Sequence, residues 1–265
     1  MCLLVIAWQV HPRERLIIAA NRDEYHERPA APLGNWQTVS GEVATEILAG
    51  RDLRAGGTWL AVDRERRAGV VTNFRDLQPP QPHSPSRGHL IPEYLSQRGT
   101  PGEFLARLEP RAASYSGFNL LLADAEQLWY ASNRAEPFAR ALPPGVYGLS
   151  NHLLDTPWPK LTRVRRAFEA LLRLPTTPPT DDLLAVLADR SPAEDHEDLP
   201  ASGLTPEWER VLSAPFVQHP QYGTRSSTVL LLGAAGELYV RERRFDAAGA
   251  LTGETDIALA AGEWC

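Results

Sequence analysis

The chain carries two cysteines, Cys2 and Cys265, one at each end. Cys2 follows the initiator methionine, which is normally removed before so small a residue. Removal leaves Cys2 with both a thiol and a free α-amine. The amine titrates near ~7.7–8.0 and the thiol near ~8.5, so the amine can act as the base that activates its own side chain. The thiolate so formed can attack an amide carbonyl and give a thioester. The bland alternative is a small buried hydrophobe, the usual setting of a free cysteine.

Further polar groups sit where apolar runs end. Asn21-Arg22-Asp23-Glu24 closes the run 16–20. Strand alternation puts Asn21 and Asp23 on one face and Arg22 and Glu24 on the other. A regular strand therefore turns only one pair toward Cys2; the favoured arrangement brings both Arg22 and Asp23 to the site, which requires a twist or bulge there. Asn73, in Thr72-Asn73-Phe74, and Asn151, after Gly148-Leu149-Ser150, either cap turns or offer N–H donors to a developing oxyanion. Arg225 lies in Tyr222-Gly223-Thr224-Arg225-Ser226-Ser227. Its small neighbours suit a side chain turned inward to a carboxylate or carbonyl, with Asp23 the expected partner.

The elements that must position these groups read as short strands. Residues 2–8 and 16–20 are apolar runs around His11-Pro12-Arg13-Glu14, hence a hairpin that starts the chain inside a sheet. Gly56-Gly57 opens a strand at 58–62, which turns over 63–67 and returns at 68–74. The proline-rich stretch 75–88 is a loop long enough to cap a site. Residues 89–97 and 101–108 read as helices, the second with Thr100 as N-cap before Pro101. Strands follow at 117–123, 127–131 and 145–150. Leu161, Val164, Ala167, Phe168, Leu171 and Leu172 make one face of a helix over 160–174. A second helix covers 181–189, and an acidic loop runs over 191–203. Residues 226–232 and 237–245 pair as strands, with 252–259 as an edge. This order lacks regular βαβ alternation, which excludes a doubly wound parallel sheet. It fits antiparallel, hairpin-rich sheets with helices on their outer faces.

Composition narrows the function classes. Lys+Arg number 27 against 33 Asp+Glu, a net charge of −6, which argues against nucleic acid or an anionic membrane surface as partner. Apolar residues at 43% and charged ones at 23% fit a globular protein with a substantial core. No apolar run approaches the ~20 residues that span a bilayer, so no stable membrane insertion is expected. The first ten residues lack the basic segment and cleavage site of a leader, which points to the cytoplasm. Two cysteines exclude a disulfide framework and a cysteine metal cluster. His26, His83, His89, His152, His196 and His219 lack ligand-like spacing. With no nucleotide or flavin motif either, no cofactor and no metal are expected, and the partner is a small molecule. The length suits one domain over 1–265.

At these residues the chain resembles a known family. Ala20-Asn21-Arg22-Asp23-Glu24 is similar to the signature of the NRDE family, also called the transport-and-Golgi-organisation type 2 family. The blocks Gly56-Gly57-Thr58-Trp59, Thr72-Asn73-Phe74-Arg75-Asp76, Ser86-Arg87-Gly88, Gly117-Phe118-Asn119-Leu120-Leu121, Gly148-Leu149-Ser150-Asn151, Thr156-Pro157-Trp158-Pro159-Lys160 and Tyr222-Gly223-Thr224-Arg225 follow in the family's order. The family in turn resembles the N-terminal-nucleophile (Ntn) hydrolases, nearest the penicillin V acylase and bile-salt hydrolase branch. That resemblance implies an α+β, αββα four-layer sandwich of two mainly antiparallel sheets. It also implies that Cys2 is the nucleophile, Arg22 and Asp23 a positioning pair, Asn73 and Asn151 polar site donors, and Arg225 a late site arginine. The acylase branch separates its Arg and Asp by two residues. Here they are adjacent, so Asn21 and Glu24 stay open beside Asp23.

Two functions compete. One is a cysteine hydrolase cleaving a non-peptide C–N bond through a thioester that water resolves. The other is a non-catalytic carrier of a lipid-like or haem-like ligand in the same cavity, a reading kept open because the family's eukaryotic members are linked to Golgi organisation, lipid homeostasis and haem trafficking. The aromatics Trp59, Phe74 and Trp158 point to an apolar acyl-type ligand; otherwise they are ordinary core and loop residues.

Overall fold

The opening apolar runs form a hairpin of the expected kind. The computed structural model describes residues 2–40, 43–75, 84–193, 199 and 202–265, with Cys2, Ser40 and Val43 described by their backbone. The proline-rich stretch is therefore outside the described residues at 76–83, as is most of the acidic loop, 194–198 and 200–201. In chain order the elements are β1 (Cys2–Trp8), β2 (Glu14–Tyr25), β3 (Ala30–Ser40), β4 (Val43–Asp52), β5 (Leu60–Asp63), β6 (Ala68–Asn73), α1 (Leu90–Leu95), α2 (Pro101–Leu108), β7 (Phe118–Ala123), β8 (Leu128–Ser132), β9 (Ala139–Leu142), β10 (Gly145–Leu149), α3 (Pro159–Leu172), α4 (Thr180–Leu187), α5 (Pro206–Leu212), β11 (Tyr222–Gly233), β12 (Leu238–Phe245) and β13 (Leu251–Leu259).

The chain folds into two compact units, residues 1–27 with 144–261, and residues 28–143 with 262–265. In the first, six strands make an antiparallel sheet in the order β10-β1-β2-β11-β12-β13. One face of this sheet, from Leu3, Val5, Ala7, Ile17, Ala19, Val229 and Leu231, packs against Leu161, Val164 and Phe168 of α3 and Leu183, Leu184 and Leu187 of α4. The odd-numbered positions of β1 and β2 thus point to the helices, as a period of two requires. In the second unit, seven strands run β3-β4-β5-β6-β7-β8-β9. There Ile47, Ala61, Leu120 and Leu122 pack against Leu90, Ile91 and Tyr94 of α1 and Phe104, Leu105 and Leu108 of α2.

Local signals account for several boundaries. Thr100 caps α2 by accepting from the Glu103 N–H, and the Glu103 carboxylate accepts from the Thr100 N–H in return. Such a capping box stabilises a helix by about 1 kcal/mol. Gly57 lies against the backbone of Gly88, where a Cβ would approach the Gly88 carbonyl carbon to 2.4 Å. That close approach explains why two of the motif blocks carry glycine at these positions. Where expectation and structure differ, most differences are shifts of a residue or two. The hairpin β3–β4, the strand β9 and the short helix α5 were not expected, and β11 begins at Tyr222 rather than Ser226. No helix among the described residues is long and apolar enough to cross a membrane.

Candidate active site

The candidate residues of the first unit converge where β1, β2 and β11 meet. Cys2 stands opposite Arg22 in the β1–β2 ladder. Arg22 in turn stands opposite Ser226 of β11. Position 2, Arg22 and Ser226 thus form one row across three strands. Arg22 is buried, and alternation along β2 puts it on the face away from α3 and α4.

Asn21 and Asp23 occupy the other face. The Asn21 amide donates to the carbonyls of Leu187 and Pro215, each at 2.9 Å, and its oxygen accepts from the Ser227 hydroxyl at 2.6 Å. Asn21 is therefore a tie between β2, β11 and the end of α4. Asp23 accepts from the Thr224 hydroxyl at 2.6 Å. Burial pushes its carboxyl above the ordinary value of 3.8, and the nearby Lys160 ammonium and the Thr224 hydroxyl pull it back.

A bulge makes both arrangements possible. Thr224 pairs with Asp23 and Ser226 with Arg22, so β11 carries one residue more than β2 across this step. Thr224 and Ser227 both bond to the helix-side residues Asp23 and Asn21. Arg225 and Ser226 lie between them, two residues where alternation allows one. Both therefore turn to the face of Arg22, as expected where a bulge re-aims side chains. The irregularity lies on β11, whereas the sequence pointed to residues 21–24 of β2. Arg225 donates from Nη1 to the carbonyls of Tyr25 at 3.1 Å and His26 at 2.8 Å. Its partners are thus carbonyls and not Asp23, because Thr224 occupies the place opposite that carboxylate. Burial, and then the charge of Arg22, hold the Arg225 guanidinium below its ordinary pKa, with Glu24 opposing.

Asn151 follows β10, the neighbour of β1, and is buried. Its φ of 58° is left-handed, a conformation asparagine tolerates better than most residues. Trp158 is the N-cap residue of α3, packs against the helix-side core and lies 5.7 Å from the His152 ring. Asn73, Phe74 and Trp59 belong to the second unit. Asn73 ends β6 opposite Phe118, Phe74 donates its N–H to the Gly117 carbonyl, and Trp59 lies against Gly50, where a Cβ would meet the indole at 2.3 Å.

Three residues escaped the sequence reading. Lys160 is almost wholly buried and acts on Asp23; its signal was that it is the sole lysine of the chain. Thr224 and Ser226 lay within a quoted motif, yet their roles depend on a bulge that composition does not announce. Among the described residues, no group of three or more His, Cys, Asp or Glu could hold a metal ion.

Comparison with known proteins gives the following. The family described as "Transport and Golgi organisation 2" matches residues 1–247. The mouse Transport and Golgi organization 2 homolog is 33% identical over 263 residues, covering 92% of each chain. The human homolog is also 33% identical over 263 residues with the same coverage, and the Drosophila melanogaster protein is 24% identical, covering 91% of each. Among solved structures, the mutant C2A of conjugated bile acid hydrolase from Clostridium perfringens superposes with a TM-score of 0.53. It covers 98% of this chain and 92% of its own at 7% identity. The α+β fold of two antiparallel sheets backed by helices is therefore that of an Ntn hydrolase.

Proposed function

From the premise that the chain belongs to the Transport and Golgi organisation 2 family, we propose that it is an N-terminal-cysteine hydrolase of a non-peptide amide bond in a small acyl-type substrate. The observation that supports this most is the register at the end of β1. Cys2 is paired with Arg22, and Asp23 lies one ladder step further, on the side where the α-amine of residue 2 emerges once Met1 is removed. A carboxylate there would hold the amine in place, and Arg22 would favour thiolate over thiol. The reaction begins when the α-amine takes the thiol proton and the sulfur attacks the carbonyl carbon. The side-chain N–H donor of Asn151 would carry the oxyanion, and Arg225 would complete the site. Collapse of the intermediate, with the α-ammonium giving its proton to the leaving nitrogen, expels the amine and leaves a thioester; water, deprotonated by the freed α-amine, then attacks the thioester, and the ammonium returns that proton to the departing sulfur as the acid is released. The reading treats residues 1–265 as one functional domain working in the cytoplasm without a cofactor. The structural neighbour, a conjugated bile acid hydrolase recorded as a C2A mutant, supports it by analogy of fold.

The test is an intact mass spectrum of the purified protein, followed by a panel of acyl amides against wild type and Cys2→Ala. Loss of Met1 and turnover that vanishes in Cys2→Ala is the expected result. A retained Met1, or equal turnover by both proteins, overturns the reading. Ligand retention unaffected by Cys2→Ala favours the carrier alternative, toward which the relatives' names, in transport and Golgi organisation, lean.

A further inference from the structure

The bulge of β11 leaves two adjacent donors without an acceptor. The Ser226 side chain is buried, at 4% exposure, and its hydroxyl has no hydrogen-bond partner. The Nε–H of Arg225 is likewise buried and unpartnered, although Nη1 of the same guanidinium is anchored to the carbonyls of Tyr25 and His26. Across the strand stands Arg22, close enough to affect the charge of Arg225. Buried donors are almost always satisfied, and an orphan costs its full desolvation penalty. Here two orphans share a face, one beside a fixed positive charge and opposite a second. A bond to a charged acceptor is about twice as strong as one to a neutral carbonyl, and one of the two donors belongs to a guanidinium. Glu24 offsets part of the charge on Arg225, and a charge-assisted bond to an oxyanion would satisfy the two donors at once.

We propose that Ser226, Arg225 Nε and Arg22 form a binding subsite for an oxyanion group, carboxylate, sulfonate or phosphate, of a small-molecule ligand. Within it, Ser226 lies two strands from position 2 along the shared row, about 10 Å away at the usual strand spacing, and Arg22 stands between the two. It goes beyond the catalytic reading, because a carrier would use the same donors, and it stands whether or not Cys2 is a nucleophile.

Isothermal titration calorimetry of the full chain, at ionic strength held constant with sodium chloride, tests this with three probes: propionate, methanesulfonate and methyl phosphate. Wild type should bind at least one of them saturably, and the probe that binds identifies the head group. Ser226→Ala should weaken that binding about tenfold, the loss of one hydrogen bond to a charged group, while Ser226→Thr, which keeps the hydroxyl, should retain it. Arg225→Gln should weaken it further. If Arg225→Gln does not fold, the two Ser226 variants decide the matter alone. Absence of saturable binding for all three probes, or equal binding by wild type and Ser226→Ala, overturns the proposal.

Discussion

The two faces of the β2–β11 pair treat adjacent serines in opposite ways: the Ser227 hydroxyl donates to Asn21, and the Ser226 hydroxyl has no partner. On the helix side, Asn21 makes three hydrogen bonds, one of them with Ser227, and Asp23 accepts from Thr224 through one of its two oxygens. On the other side, two residues away, Arg225 and Ser226 present buried donors with nothing to receive them. A satisfied polar cluster fixes register and secures a helix end. An unsatisfied one detracts from stability and persists where a ligand completes it.

The largest expected effect is on the satisfied side. Asn21→Ala leaves the carbonyls of Leu187 and Pro215 and the hydroxyl of Ser227 without their partner. With each buried orphan costing ~1–3 kcal/mol, the loss should be about 3 kcal/mol, measured by urea denaturation. A loss below about 1 kcal/mol would break the comparison, because the helix side would then be no more constrained than its opposite. In the second unit, Thr100→Ala calibrates the scale: it removes one exposed helix cap and should cost about 1 kcal/mol.

Asp23 sharpens the contrast through pH. Its carboxyl is held above its ordinary value of 3.8 by burial, so the native state keeps the proton to higher pH than the unfolded chain. Between the two values the unfolded state loses its proton first and the folded state is penalised. The stability associated with this group is therefore full below 3.8 and declines as pH rises through the native value. Asp23→Asn, which keeps an oxygen acceptor for Thr224, should remove that decline. Urea midpoints of both proteins at pH 4 and pH 7 measure it: wild type should lose more between the two than the variant. Equal differences would mean that Lys160 and Thr224 cancel the burial.

Much of this was legible beforehand, for reasons that differ by element. Apolar runs of five to seven residues betrayed β1, β2, β7 and β11, because strands buried on both faces need no alternation. The six apolar positions of α3 gave its inward face, and Thr100-Pro101 its neighbour's start. The hairpin β3–β4 was invisible. Its first strand reads AAPLGNWQTVS, with Pro32, Gly34 and Asn35 breaking any period, and the structure absorbs them in a register shift between Ala31 and Gly34. Helix α5 is only seven residues long, too short for a period to show. At the site, the motif identified Arg22, Asp23 and Arg225 as a group. The expected twist or bulge at residues 21–24 is not there: β2 keeps its alternation, and Arg22 and Asp23 stand on opposite faces. What the motif did not show was the extra residue in β11, and with it the pairing of Asp23 to Thr224 and the turning of Arg225 to carbonyls. A bulge is a property of two strands together, so a single segment read alone does not reveal it.

The smallest expected effect is the most discriminating. Ser226→Ala deletes one hydroxyl from a buried site. If that hydroxyl helped hold the fold together, its loss would resemble other deletions of a buried hydrogen bond and cost ~0.5–1.5 kcal/mol. Yet it has no partner to lose, and removing an unsatisfied buried polar atom relieves a desolvation penalty. The cavity left by one oxygen is smaller than that left by a methylene, so the cavity contribution opposing this relief is also small. The two contributions have opposite signs and similar size, and the net change should lie within about ±0.5 kcal/mol, with stabilisation as acceptable an outcome as none. Ser227→Ala is the matched control: the same side chain, one residue along, on the helix-side face, where its hydroxyl donates to Asn21 at 2.6 Å. It should cost about 1 kcal/mol more than Ser226→Ala in the same denaturation assay. If the order reverses, the distinction between the two faces fails, and Ser226 belongs to the framework rather than to a site.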